Sequence, residues 1–217
     1  TTSMKVLIAI PSCHSLRNFE QAVRNTWGKD VVNADLRFFL GNPKVKAESG
    51  EVFLDVGDTL HDLSHKMVEI CRWALDFDYD FTFKCDLDTL VRPLRLIQSD
   101  FYRYDWVGGQ NSFFASGGGG YWLSRKAMKA VLEHKIEAGP AEDVNTAHAL
   151  LEQGIMLHHD PRFLFIPGET LREDTITYHL SSVKAWNAKA TPEDLYAAYN
   201  GTFKLPQTEV RRFRRLR

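Results

Sequence analysis

Along the chain, short apolar runs alternate with segments in which apolar residues return every third or fourth position. Residues 5–10 are nearly all apolar and read as a buried strand. Residues 36–40 read as a second strand, 51–56 as a third and 80–85 as a fourth, the last ending in acidic residues. Between them, Phe19, Ala22, Val23 and Trp27 share one helical face. Leu63, Met67, Ile70, Cys71 and Ala74 mark a longer amphipathic helix. Further on, residues 105–108 read as a strand and 124–133 as a helix. Another helix begins near Glu142, with Val144, Ala147 and Leu151 on one face, and strands follow over 155–158 and 163–166. This alternation implies an α/β fold with a mixed, mainly parallel sheet flanked by helices. In such sheets ligands bind beyond the carboxyl ends of the strands, which places the loops after Ile10, Val56 and Cys85 on the functional edge. No repeat or low-complexity linker divides the chain, so residues 1–217 read as a single domain.

Composition narrows the class. Hydrophobic residues make up 44% of the 217 and charged residues 25%, as in a soluble globular protein rather than a disordered one. A formal net charge of -1 gives no global reason to expect nucleic acid as a partner. Cys13, Cys71 and Cys85 are odd in number, widely spaced and without a CxxC pair, which argues against a disulfide framework or a structural zinc site. No apolar stretch approaches the roughly 18 residues of a membrane span, and no signal-peptide pattern precedes the first strand. The expectation is a cytoplasmic protein, with a lumenal or secreted location as the alternative; the sequon at Asn200 matters only in that case. Arg211, Arg212, Arg214, Arg215 and Arg217 read as a solvated basic terminus or linker, with membrane or phosphate attachment as the other reading.

The most informative segment is Phe81-Thr82-Phe83-Lys84-Cys85-Asp86-Leu87-Asp88. An apolar strand delivers two carboxylates, two positions apart, to the sheet edge, where they can converge on one cation. Hard oxygen ligands of this kind suit Mg²⁺ or Mn²⁺ with phosphate oxygens completing the shell. The bland alternative is that Asp86 and Asp88 cap the helix that follows Pro93.

Several segments, in order, resemble one family. Arg24-Asn25-Thr26-Trp27-Gly28, Phe38-Phe39-Leu40-Gly41, Asp58 through Lys66, Lys84 through Val91, Gly118 through Ser124, and Glu142-Asp143-Val144 are similar to the corresponding blocks of the inverting β-1,3-galactosyltransferase and Fringe-like group, glycosyltransferase family 31. They span about residues 5–180. The middle acid of the family's Asp-Asp-Asp is Leu87 here, its usual Tyr is Leu60, and its cysteine pairs are missing, as in a short soluble bacterial- or viral-type member. The resemblance implies a single GT-A (Rossmann-like) domain with an Asp-x-Asp motif at a strand end. About residues 1–100 would form the nucleotide-binding half, about 101–190 the acceptor and catalytic half, and 205–217 a basic tail or linker with room for a further domain after it.

The resemblance also implies a reaction and its residues. A sugar would pass from a UDP-sugar to a hydroxyl of a glycan or glycoconjugate, with inversion. Asp143 is the implied general base; its place at a helix start favours the carboxylate form, and Glu142 and Asp143 otherwise read as ordinary first-turn acids. Asp86 and Asp88 would hold Mn²⁺ or Mg²⁺. His179 is the implied third ligand, since Tyr178-His179-Leu180 resembles the family's late histidine segment; His158 and His159 are adjacent and would point apart in a strand. Arg24 and Lys66 are expected at the nucleotide diphosphate, although Arg24 also reads as a surface charge and Lys66 as the partner of Asp62. Asp58 is expected at the base or ribose, and residues 11–17 beside the uracil. The glycine run around Gly119 would let backbone approach the donor sugar, with Tyr121 and Trp122 as flat faces for a sugar or as core contacts; the alternative is a tight turn before a buried strand. Two other classes stay open: a sugar-phosphate nucleotidyltransferase, which uses similar carboxylates, and a non-catalytic nucleotide-sugar or glycan-binding module.

Overall fold

The computed structural model describes residues 3–41, 45–139, 141–184 and 188–206. β1 (Val6–Pro11) is apolar through Ile10 because both of its faces are covered. Val6, Ile8 and Ile10 enter one core layer, and Leu7 and Ala9 enter the other. The first layer receives Phe19, Ala22 and Val23 of α1 (Arg17–Asn25) and the fully buried Trp27 beyond it. β2 (Asp35–Leu40) and β3 (Glu51–Phe53) extend the sheet in parallel on one side of β1. A capping box between Thr59 and Asp62 starts the turn into α2 (Leu63–Asp76), whose Met67, Ile70, Cys71 and Ala74 fill the second layer. β4 (Phe81–Lys84) then pairs in parallel with the other side of β1.

The chain continues through β5 (Thr89–Val91), α3 (Pro93–Ile97), β6 (Trp106–Gly108) and a small hairpin of β7 (Gln110–Asn111) and β8 (Phe114–Ala115). Next come β9 (Tyr121–Ser124), α4 (Arg125–Glu133), which Ser124 caps by accepting from Ala127 N at 3.2 Å, and α5 (Glu142–Glu152). β10 (His158–His159), β11 (Phe163–Leu164), β12 (Thr177–His179), α6 (Leu180–Lys184) and α7 (Pro192–Tyr199) complete the described elements. The main sheet runs β10-β6-β9-β4-β1-β2-β3, and β11-β12-β5 form a second, three-stranded sheet. β9 is antiparallel to both β4 and β6, while every other pair in the main sheet is parallel. The expected α/β class with a mixed, mainly parallel sheet is the one observed.

Boundaries differ where side-chain pattern is weak. The third strand stops at Phe53, and the strand expected over 155–158 is reduced to His158–His159. The short strands β5 and β12 carry no periodicity of their own; pairing with each other defines them. Cys71 and Cys85 are buried core residues and all three cysteines are free. Among the described residues no helix is long and apolar enough to cross a membrane. The arginines from Arg211 onward lie outside the described residues.

Candidate active site

β4 ends at Lys84, and the chain passes through Asp86 and Asp88 directly into β5. β5 pairs antiparallel with β12 in a register that sets Thr89 opposite His179. That register is what brings His179 to Asp88. Its Nε2 lies 3.1 Å from Asp88 Oδ1 and 3.9 Å from Asp86 Oδ2, and its Nδ1 is 2.6 Å from Ser182 Oγ. Ser181 donates to the other oxygen of Asp88. One ligand atom from each of Asp86, Asp88 and His179 lies within 4.8 Å of the others. Burial alone would lower the His179 pKa, but Asp88 offsets this and leaves it raised; Asp88 itself is held below the usual carboxylate range by His179 and Ser181 against its burial. Neither Asp86 nor Asp88 caps α3, whose N-cap is Arg92 with no side-chain cap bond.

Gly118 explains why the glycine run is needed. A Cβ there would overlap the His179 ring, so any other residue would displace the histidine. Gly120 has φ +89, the left-handed turn that leads into β9. Gly119, expected near the donor sugar, has both backbone groups engaged within the protein: its N–H meets Ser116 Oγ at 3.2 Å and its carbonyl accepts from Thr177 at 2.5 Å. The tight turn before a buried strand is therefore what this segment forms. Tyr121 and Trp122 are core residues rather than exposed faces, with Trp122 stacked on Phe101 at 3.8 Å.

A buried polar network joins this strand end to α5. Lys84, 1% exposed, donates to Asp86 Oδ1 at 2.8 Å, to Glu142 Oε2 at 3.0 Å and to the Gly117 carbonyl at 3.0 Å. Tyr121 donates its hydroxyl to the other oxygen of Glu142. Burial would lower the Lys84 pKa, but Asp86 and Glu142 hold it raised; burial raises Glu142, with Lys84 and Tyr121 working against it. Asp143, half-buried, follows in the first turn of α5 and accepts from Gly117 N at 3.0 Å and from Val144 N at 3.0 Å. Gly117 thus touches the base candidate through its N–H and the lysine through its carbonyl. The sequence reading offers Tyr121 as a flat face for a sugar or a core contact and Glu142 as a first-turn acid, gives Lys84 no role of its own, and does not join the three. The available signal was a lysine at the end of a largely apolar strand, a residue that is buried only when paired.

Asp58 and Lys66 meet at the ends of β1 and β2. Lys66 Nζ donates to Asp58 Oδ1 at 2.6 Å and to the Ser12 carbonyl at 2.7 Å, and the same Asp58 oxygen accepts from Gly41 N at 2.6 Å. Lys66 does not pair with Asp62, which is used by the capping box. His14, in the loop after β1, stacks on Phe53 with ring centroids 6.0 Å apart and sits 3.9 Å from Asp58. Arg24, expected at the diphosphate, is turned instead to internal partners: Glu20 at 3.1 Å, the Ser49 carbonyl at 2.8 Å and Glu48 at 3.6 Å, with its guanidinium over Phe38. The exposed His158 and His159 lie on the edge strand β10, where His158 stacks on Tyr104.

The Arg24 partner gives a pH prediction. Glu20 is fully buried, and its burial, reinforced by Glu51, pushes its carboxyl from an ordinary 4.5 up to about 7. The folded protein therefore binds this proton more tightly than the unfolded chain. The stability it contributes is complete below about 4.5 and is lost as pH rises through about 7. Glu20→Gln is expected to flatten the decline in stability across that window, by about 1.4 kcal/mol for each unit of pKa shift. Denaturant melts at a series of pH values test this; equal slopes in wild type and variant would remove the role from Glu20.

A groove of about 560 Å³ opens at the start of α5, lined by Leu60, Leu63, His65, Ile136 and Glu142 among others. A larger cleft of about 870 Å³, lined by Arg92, Leu94, Arg95 and Tyr199, includes none of the residues described above as a site.

No protein-family model matches the chain, and no curated protein matches it. Its fold does have relatives among solved structures. GlyE, a glycosyltransferase of Streptococcus pneumoniae, aligns with a TM-score of 0.53 at 15% identity, covering 89% of this chain and 59% of that one. A Desulfovibrio desulfuricans protein assigned as a nucleotide-diphospho-sugar transferase aligns with a TM-score of 0.50 at 14% identity, covering 71% of this chain and 79% of that one. At such identities the likeness is one of fold. It does not single out the β-1,3-galactosyltransferase and Fringe-like group.

Proposed function

We propose that this protein is a metal-dependent glycosyltransferase that moves a sugar from a UDP-sugar to a hydroxyl of a glycan or glycoconjugate, with inversion at the anomeric carbon. The observation that carries the reading is the meeting of Asp86, Asp88 and His179 at the carboxyl end of β4, linked through Lys84 and Gly117 to Asp143. Two carboxylates and one imidazole form a donor set that fits Mn²⁺ better than Mg²⁺, which favours oxygen alone. Asp86, Asp88 and His179 would hold the ion. When bound, it would supply positive charge to the diphosphate that leaves.

The chain's own residues divide the remaining work. Asp143 accepts the proton of the acceptor hydroxyl while that oxygen bonds to the anomeric carbon. The bond from that carbon to the diphosphate breaks, and its electron pair leaves with UDP. Backbone N–H groups at Gly117 and Val144 hold the Asp143 carboxylate in place. Lys66 and Asp58, paired at 2.6 Å on the carboxyl edge of the sheet, would serve the nucleotide of the donor, Lys66 at the diphosphate and Asp58 at the base or ribose. The groove at the start of α5 would admit the acceptor.

Calorimetric titration of UDP into the protein tests the reading. Binding in the presence of Mn²⁺ that disappears with EDTA is expected, followed by turnover with at least one UDP-hexose. Pyrophosphate release from UTP and a sugar phosphate would replace this reading with nucleotidyl transfer, and absence of UDP binding in both buffers would refute the uridine donor.

A further inference from the structure

Lys84 is fixed more firmly than a lysine that serves as a ligand contact needs to be. An ammonium has three protons to donate, and here each has a partner: Asp86 Oδ1, Glu142 Oε2 and the Gly117 carbonyl, all at 3.0 Å or less. Two of these partners are themselves held in place. Glu142 is held by Tyr121 and lies 3.3 Å from Thr146 Oγ1, and Gly117 is held by Asp143. The Tyr121 ring lies 5.8 Å from the ammonium, and both residues are buried. The charge of Lys84 is thus a permanent part of the site.

That charge acts on Asp86. One carboxylate oxygen is committed to Lys84, and only Oδ2 remains on the side of His179. A divalent cation bound by Asp86, whose side chain is partly exposed, would share this carboxylate with a buried ammonium, and the two cations repel one another. What relieves the repulsion is further negative charge on the open side of the cation, which a nucleoside diphosphate carries. We propose that Lys84 is a built-in counter-ion of Asp86 that makes cation binding conditional on the nucleotide diphosphate, so that metal and donor enter the site as a pair. This rests on the transferase reading for the identity of the nucleotide, while the effect on the cation alone follows from the geometry of Lys84.

Binding coupled in this way is reciprocal and can be measured without turnover. The probe is Mn²⁺ alone, its free fraction read from the electron paramagnetic resonance of the aqueous ion. Two variants are compared with wild type: Lys84→Met, and the double variant Lys84→Met with Glu142→Gln, which removes one positive and one negative charge together and so protects the buried network. In wild type, saturating UDP is expected to strengthen Mn²⁺ binding roughly tenfold, a usual size for coupling between sites. In the variant that melts cooperatively, Mn²⁺ without nucleotide is expected to bind roughly tenfold more tightly than in wild type, with most of the UDP enhancement gone. Mn²⁺ affinity that is unchanged or weaker in the folded variant would overturn the proposal, because it would make Lys84 only a support for Asp86. A wild-type protein that binds Mn²⁺ but never UDP would refute the donor reading, and the comparison of Mn²⁺ alone would still decide the role of Lys84.

Discussion

Asp88→Asn is expected to abolish Mn²⁺-dependent UDP binding while the fold survives. Asp88 is the most constrained member of the metal-ligand candidates. One oxygen faces His179 Nε2 at 3.1 Å, the other receives the Ser181 hydroxyl, and its own carbonyl accepts from Leu180 N at 3.0 Å. Asparagine preserves the shape and one acceptor oxygen, so the β5–β12 junction keeps its packing. What is lost is the negative charge and one anionic ligand. Changing a residue that only supports a ligand costs a metal site about 10- to 100-fold, so loss of a ligand itself should weaken Mn²⁺-dependent UDP binding by roughly 100-fold or more. Calorimetry with and without EDTA measures this directly, and a thermal melt checks the fold. Retained UDP affinity in the folded variant would place the cation elsewhere.

The second large effect is on turnover. Asp143→Asn is expected to lower kcat by about 10²–10⁴, the usual contribution of a general base, and to leave UDP affinity within about twofold, since the residue acts on the acceptor. Asparagine still accepts from Gly117 N through its amide oxygen, so the first turn of α5 need not shift. The pattern separates an enzyme from a binding module: a module with no reaction to perform would bind UDP and glycan alike in both forms. A fall in UDP affinity equal to the fall in kcat would instead assign Asp143 to donor binding.

The sequence was most legible where one residue type has one physical explanation. β1 reads as buried because alternate side chains face different core layers, so no polar position is tolerated from Val6 to Ile10. The acidic end of β4 is legible for the converse reason, since carboxylates directly after such a strand have few structural uses. Partners far apart in sequence were not legible. Lys84 meets Gly117 and Glu142 across 33 and 58 positions, and periodicity carries no information about such pairs. The same holds for the antiparallel insertion of β9 between β4 and β6, which depends on a glycine turn and on pairing rather than on any pattern within Tyr121–Ser124. The partners of Arg24 were not legible because a helix position fixes a face and not a partner; Glu20, one turn earlier, pairs with it. Leu87, where the resembling family carries an acid, is buried in the core, consistent with its apolar character.

The pairing of β5 with β12 has a consequence for the order in which the molecule is built. Asp88 and His179 are 91 positions apart, and the strand that carries the histidine is the last in the described chain. Contacts of such separation form late, after local structure has reduced the cost of closing the loop between them. A nascent chain can lay down β1 to β4, and most of both core layers, while still lacking one of the three candidate ligands, His179. The capacity to hold a cation with all three candidate ligands would then appear only with the docking of β12, so metal binding during refolding would report that docking rather than collapse of the core.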